Sequence, residues 1–123
     1  MHDVRRQFGN DSEAEAADYL CTNGYKILEK QWKCEYGEID LIAEKSGEIV
    51  FVEVKARKSE TYGFPEDSVT EQKIRHLISC AHAYLDRIGE NVSWRIDVIA
   101  IEFLQDKTSI LHFEAIDIPD KFC

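Results

Sequence analysis

The stretch Gly37–Arg57, GEIDLIAEKSGEIVFVEVKAR, places charged residues inside its most apolar runs. Asp40 stands among Ile39, Leu41 and Ile42, and Glu53 and Lys55 stand among Phe51, Val52 and Val54. Ser46-Gly47 reads as a two-residue hairpin turn. With that turn Lys45 faces Glu48, Asp40 lies opposite Glu53, and Glu38 lies opposite Lys55. A four-residue loop from Lys45 to Glu48 keeps the same register. Strand alternation then puts Glu38, Asp40 and Ile42 on one face, together with Phe51, Glu53, Lys55 and Arg57 of the partner strand.

Directly opposed residues have Cβ atoms about 4.5–5.5 Å apart, so two carboxylates converge beside a lysine. Like charges opposed among apolar neighbours are costly. Protonation of one carboxyl, neutralisation by Lys55, or a divalent cation between them would relieve that cost. Hard cations such as Mg²⁺ take carboxylate oxygens together with water and substrate phosphate. That is equipment for phosphodiester hydrolysis, in which Lys55 would orient the attacking water or stabilise the transition state. The plain alternative is a hairpin with one solvated face and ordinary cross-strand ion pairs. A bare Glu-x-Lys is common; the facing Asp40, two residues after Glu38, makes the pattern more specific.

Two further residues bear on this site. Glu13 heads an apolar stripe with Ala16, Ala17 and Leu20, which makes it a third candidate ligand as well as a favourable first-turn carboxylate. Lys73 lies four residues before Leu77 and eight before Ala81, at the edge of a second stripe, with Gln72 beside it. Either could serve the site or remain a solvated flank residue.

The elements that must position these residues follow from periodicity and punctuation. The first helix is expected from a capping box at Ser12 and Glu15 to a stop at Asn23-Gly24. A strand follows from Tyr25 to Cys34, then the two hairpin strands GEIDLIAEK and EIVFVEVKAR. KSETYGFPEDSV is a loop punctuated by Gly63 and Pro65. A second capping box, Ser68 and Glu71, opens a helix carrying Ile74, Leu77, Ile78, Ala81, Leu85 and Ile88, ended by Gly89. WRIDVIAIEF and SILHFEAI close the chain as strands. The order α-β-β-β-α-β-β predicts an α/β fold with a mixed sheet against which helices pack.

The chain of 123 residues, 44% hydrophobic and 32% charged, fits one globular domain over residues 1–123. No apolar run reaches the roughly 18–20 residues of a membrane span, and MHDVRRQFGNDSEAEAA lacks the apolar centre of a secretory signal. The expected location is the cytoplasm. Cys21, Cys34, Cys80 and Cys123 have wide, irregular spacing without the close pairs of a structural zinc site, so reduced, partly buried thiols are expected. Cys80 and His82, two apart, do not share a helix face. The net charge of −9 argues against broad non-specific nucleic-acid binding. Lys30 to Lys58 is neutral, with six Lys/Arg against six Asp/Glu, so a polyanion would have to meet this region.

The motif Gly37-Glu38-Ile39-Asp40-Leu41-Ile42-Ala43, followed by Phe51-Val52-Glu53-Val54-Lys55-Ala56-Arg57, resembles the YraN-like family of bacterial proteins. That family is assigned to the PD-(D/E)XK, restriction-endonuclease-like superfamily and is similar to archaeal Holliday junction resolvases. The resemblance runs from about Gly9 to Ile101 and includes Glu13, Tyr19-Leu20, Gly24-Tyr25, Lys73, Leu77, Arg95 and Asp97-Val98. It implies a three-layer restriction-endonuclease-like fold with a five-stranded mixed sheet. It assigns metal binding to Asp40 and Glu53, the motif lysine to Lys55, the helix acidic residue to Glu13, and a further metal ligand to the carbonyl of Val54. Two departures stand out. Ser12 occupies the family's usual glycine position, and Lys30-Gln31 replaces the usual Arg-Asn.

The expectation is a Mg²⁺- or Mn²⁺-dependent endonuclease acting on DNA, with branched or damaged DNA as one candidate form of the substrate. Asp40, Glu53 and Lys55 would be catalytic, and Lys33, Arg57, Lys58, Lys73 and Arg75 are either phosphate contacts or ordinary solvated surface charges. The loop from Ser59 to Asp67 would close over substrate, form a dimer contact or simply connect strand to helix; a homodimer is implied by analogy with resolvases and not by the sequence itself. The competing expectation is a non-catalytic nucleic-acid-binding or protein-interaction module on the same fold.

Overall fold

The computed structural model describes residues 4–57, 70–89 and 91–118, and the side chains of 11–56, 70–89 and 91–118. Its elements are α1 (Val4–Thr22), β1 (Lys26–Cys34), β2 (Gly37–Lys45), β3 (Glu48–Arg57), α2 (Glu71–Ile88), β4 (Trp94–Phe103) and β5 (Thr108–Phe113). The order and the mixed five-stranded sheet flanked by helices are those expected. The strands lie side by side in chain order, antiparallel except for the parallel pair β3–β4 that α2 connects. A parallel pair needs such a crossover.

One apolar cluster lies on each face of the sheet. Ala16, Ala17 and Leu20 of α1 pack on Leu41, Ala43, Val50, Val52, Ile99 and Ile101. Leu77, Ile78, Cys80, Ala81 and Tyr84 of α2 pack with Ile39, Ile42, Phe51 and Ile96 on the other face. β3 and β4 have near-continuous apolar runs because both of their faces are covered.

Both helix starts differ from the sequence expectation. α1 begins at Val4, so Ser12 is no cap but lies inside the helix, buried at 1% exposure. Its small side chain suits a position facing the sheet, as glycine would. α2 is capped by Thr70, whose Oγ1 accepts the Lys73 N–H at 3.2 Å, in place of Ser68, which lies outside the described residues. Gly89 ends α2 as expected, at φ 71° with its N–H bonded to the Leu85 carbonyl. The buried stripe of α2 also takes in Cys80 and Tyr84, while Ile88 is exposed. β5 stops at Phe113, short of the expected Ile116.

Arg95 and Asp97 build a polar network on the α1 side. Asp97, fully buried, accepts from His112 Nε2 at 2.7 Å, Arg95 Nε at 2.9 Å and the Ala115 N–H at 2.9 Å. Burial pushes this carboxyl up, yet those hydrogen bonds hold it below its ordinary range. Arg95 also reaches Glu48 and Tyr25, and Tyr19 of α1 bonds His112 Nδ1. The network ties α1, β3, β4 and β5 together.

Candidate functional site

The site begins where the β2–β3 ladder ends. Ser46 and Gly47, at φ 53° and 80°, form the expected two-residue turn, of the type with positive φ at both central residues. The register is the expected one from Lys45↔Glu48 to Leu41↔Val52. It stops one pair short of Asp40 and Glu53, so Glu38 and Lys55 are not paired either. The Val54 N–H, left without a strand partner there, donates to Asp40 Oδ2 at 2.8 Å. A strand residue directs its N–H and carbonyl to the same side, so the Val54 carbonyl opens towards this gap too.

The expected sharing of a face is corrected at Asp40. Ile39 and Ile42 both pack on the α2 side, whereas Leu41 and Ala43 pack on the α1 side. β2 therefore swaps faces around Asp40. β1 swaps with it: Trp32 packs on the α2 side, while Lys30 lines a cleft beside Glu13 on the other. Between them Gln31 has φ 50°, and the register is the same on both sides of the Gln31–Asp40 gap. The two strands turn over together without inserting a residue at that point.

This turn-over separates the carboxylates into two groups. Glu13, Glu38 and Asp40 each present a carboxylate oxygen, all within 4.8 Å of one another. Gln31 Nε2 donates to Glu13 Oε2 at 2.7 Å. Burial, partly offset by that bond, raises the Glu13 pKa, and Asp40 and Glu38 add to the rise. Glu53 is not part of that cluster and lies on the face of Phe51 and α2, near enough to Asp40 for the two charges to interact. Its Oε1 meets Lys55 Nζ and Lys73 Nζ, each at 3.5 Å, and its buried Oε2 has no hydrogen-bond partner among the described residues. Burial first, then Asp40, lifts the Glu53 pKa from 4.5 to about 7 against the pull of the two lysines.

A cleft of about 250 Å³ lined by Glu13, Ala14, Lys30, Gln31 and Leu41 opens beside the first group. Lys33 is exposed and is the β1 partner of Glu38. Lys73 turns to Glu53 from the first turn of α2. Arg75 is exposed and, two residues on, does not share the face of Lys73. The side chain of Arg57, Lys58 and the Ser59–Asp67 loop lie outside the described residues. Sequence reasoning left Glu38 out of the ligand set and took Gln31 only as a departure from the family. The spacing of Glu38, two before Asp40, was the available signal for the first; nothing in the sequence announces the positive φ of the second.

The donor set fits a hard divalent cation, which takes carboxylate oxygens and keeps several waters. Three carboxylates converge, and one buried oxygen of the lysine-flanked Glu53 has no hydrogen-bond partner among the described residues.

Comparison with known proteins places these residues in a family context. The model of the uncharacterised protein family UPF0102 matches residues 12–101. A UPF0102 protein of Phocaeicola vulgatus is 39% identical over 88% of this chain and 89% of its own length. One from Syntrophomonas wolfei is 43% identical over 89% and 96% respectively. The resemblance to YraN-like proteins is thereby borne out. Among solved structures, an EndoMS–double-stranded DNA complex is 24% identical with a TM-score of 0.46, and a repair endonuclease from Pyrococcus abyssi is 26% identical with a TM-score of 0.39. This chain covers 37% and 39% of those two chains.

Proposed function

The chain belongs to the uncharacterised protein family UPF0102, and from that premise we propose that it is a metal-dependent endonuclease hydrolysing phosphodiester bonds of DNA, branched or damaged DNA first among its substrates. The observation that carries this reading is the convergence of Glu13, Glu38 and Asp40 beside buried, lysine-flanked Glu53. Glu13, Glu38, Asp40 and Glu53, with the Val54 carbonyl, are the residues that would hold Mg²⁺ or Mn²⁺. A bound cation supplies Lewis-acid charge for the phosphoryl oxygens and lowers the pKa of water.

The chain's own groups do the positioning. The Val54 N–H holds the Asp40 carboxylate in one orientation, and Gln31 does the same for Glu13. Lys55 lies beside Glu53, where it would orient the attacking water or meet charge developing on phosphate. Lys33 and Lys73 flank the carboxylates and, with Arg57, Lys58 and Arg75, would contact the backbone of the strand being cut. The chain as a whole carries a net charge of −9, so DNA binding would rest on a local set of phosphate contacts. That acidity favours the second reading, a module that holds DNA without cutting it.

The test compares wild type with Asp40→Asn and Glu53→Ala, purified in parallel, on single-stranded, duplex and branched DNA with Mn²⁺. Cleavage by wild type alone, reduced about 100-fold or more in both variants, supports the nuclease. Equal cleavage in all three preparations marks a contaminant and overturns the catalytic assignment. Metal-dependent DNA binding without cleavage puts the binding module in its place.

A further inference from the structure

Cys34 closes β1, and Cys80 lies in the middle of α2, 46 positions later. Neither takes part in the site described above. Their sulfurs are nevertheless in contact, Sγ to Sγ at 2.9 Å, with both thiols free. A disulfide bond measures about 2.03–2.05 Å, so closure requires the sulfurs to approach by less than about 1 Å.

The two thiols differ in exposure, which decides which of them a reagent meets first. Cys34 is half-buried, and its sulfur receives the Tyr36 N–H at 3.4 Å, a backbone donor for developing negative charge. Cys80 is fully buried, and burial, with Cys34 next to it, pushes its thiol up to about 12. Gly37, at φ 139°, lies over Cys80 Sγ at 3.9 Å from where a Cβ would stand, which keeps the turn tight against the helix. A surface cleft lined by Glu35, Tyr36, Ser79 and Asp86, among others, reaches the chain neighbours of both cysteines. Its carboxylates disfavour anionic oxidants and leave a small neutral hydroperoxide as the matching reagent.

We propose that Cys34 and Cys80 are a peroxide-responsive modification site, closing to a reversible disulfide that clamps α2 to the end of β1. The Cys34 sulfur, as thiolate, attacks the outer oxygen of the hydroperoxide and breaks the O–O bond. The products are a sulfenic acid at Cys34 and water, or an alcohol for an organic hydroperoxide, once the leaving oxygen takes a proton. The Cys80 sulfur then attacks the sulfenic sulfur, and the Cys80 proton leaves with the hydroxyl as a second water. The two thiols are oxidised by two electrons and the peroxide is reduced by two. Two equivalents of a small thiol reverse the step and end as their own disulfide. The closed loop contains Asp40, Glu53, Lys55 and Lys73, and Lys73 lies two turns before Cys80 on the same helix. Oxidation therefore fixes the helix that supplies a cation to Glu53. The cross-link itself stands whether or not the chain cuts DNA.

The test treats the full chain with hydrogen peroxide, blocks the remaining thiols with iodoacetamide, and reads intact mass and the peptide map. The expected result is a Cys34–Cys80 peptide, a mass lower by two hydrogens before blocking, and recovery of both thiols with dithiothreitol. Oxidised protein should melt at least about 5 °C above reduced protein, as loop closure constrains the unfolded chain. In Cys80→Ala, Cys34 should proceed to sulfinic acid instead. If that variant does not fold, the wild-type peptide map decides alone. Full alkylation of Cys34 and Cys80 after peroxide overturns the proposal. So does sulfinic Cys34 without a cross-link in wild type, or a cross-link that uses Cys21 or Cys123.

Discussion

Burial lifts the pKa of Glu53 from 4.5 to about 7, with Asp40 adding to the rise and Lys73 and Lys55 opposing it. Because the folded-state value lies above the ordinary one, protonation favours the folded chain. This contribution is complete below about pH 4.5 and is lost as pH rises through about 7, a decline of up to about 3 kcal/mol. Glu53→Gln should abolish that decline and leave the variant the more stable protein at pH 8 without divalent metal. Thermal melts from pH 4 to 8 in chelator check it, and parallel profiles for the two proteins would sink the assignment. Asp40, Glu53 and Lys55 were legible in the sequence because each interrupts an apolar run. The turn-over of β1 and β2 that sets Glu38, Asp40 and Glu13 apart from the face of Glu53 was not. It depends on Gln31 adopting a left-handed backbone, which non-glycine residues seldom do and which a sequence does not signal.

At the scale of elements, the Ser46-Gly47 turn sets the register that brings β2 and β3 to their gap beside Asp40. Ser46 holds φ 53° in a position where asparagine is the favoured residue. Ser46→Asn should stabilise the fold by about 0.5–1 kcal/mol and leave the site unchanged. Urea denaturation reads this as a higher midpoint at constant slope, and a lower midpoint would contradict the turn assignment. β2, β3 and β4 were legible to the residue because runs of β-branched residues end at clear turn signals. The start of α1 was not. Gly9, Asn10, Asp11 and Ser12 look like a helix boundary by propensity, but propensity is a weak prior that tertiary packing overrides. Ser12, Ala16, Ala17 and Leu20 instead form one buried stripe, and the helix runs through it.

For the whole molecule, the alternation of strand and helix patterns was enough to read the mixed sheet, since a parallel pair demands a long crossover. The two-sided division of the carboxylates was not legible, because it arises from packing on both faces of the sheet. The crossover has a consequence for assembly. Glu13, Glu38, Asp40 and Glu53 all lie in the first half of the chain, on α1 and the β1–β2–β3 meander, whose pairings are local. Lys73 comes from α2, beyond that meander, and the β3–β4 pairing joins residues as far apart as Ile49 and Trp94. Non-local pairing is the slow part of folding, so a chain emerging from its N-terminus holds its acidic centre before the cation from α2 arrives. Lys73→Met should therefore quicken unfolding and leave the refolding rate within about twofold of wild type, the behaviour of a contact made after the rate-limiting step. Stopped-flow refolding above pH 7 would decide it; a slowed refolding limb would mean instead that the lysine is already in place when the sheet closes.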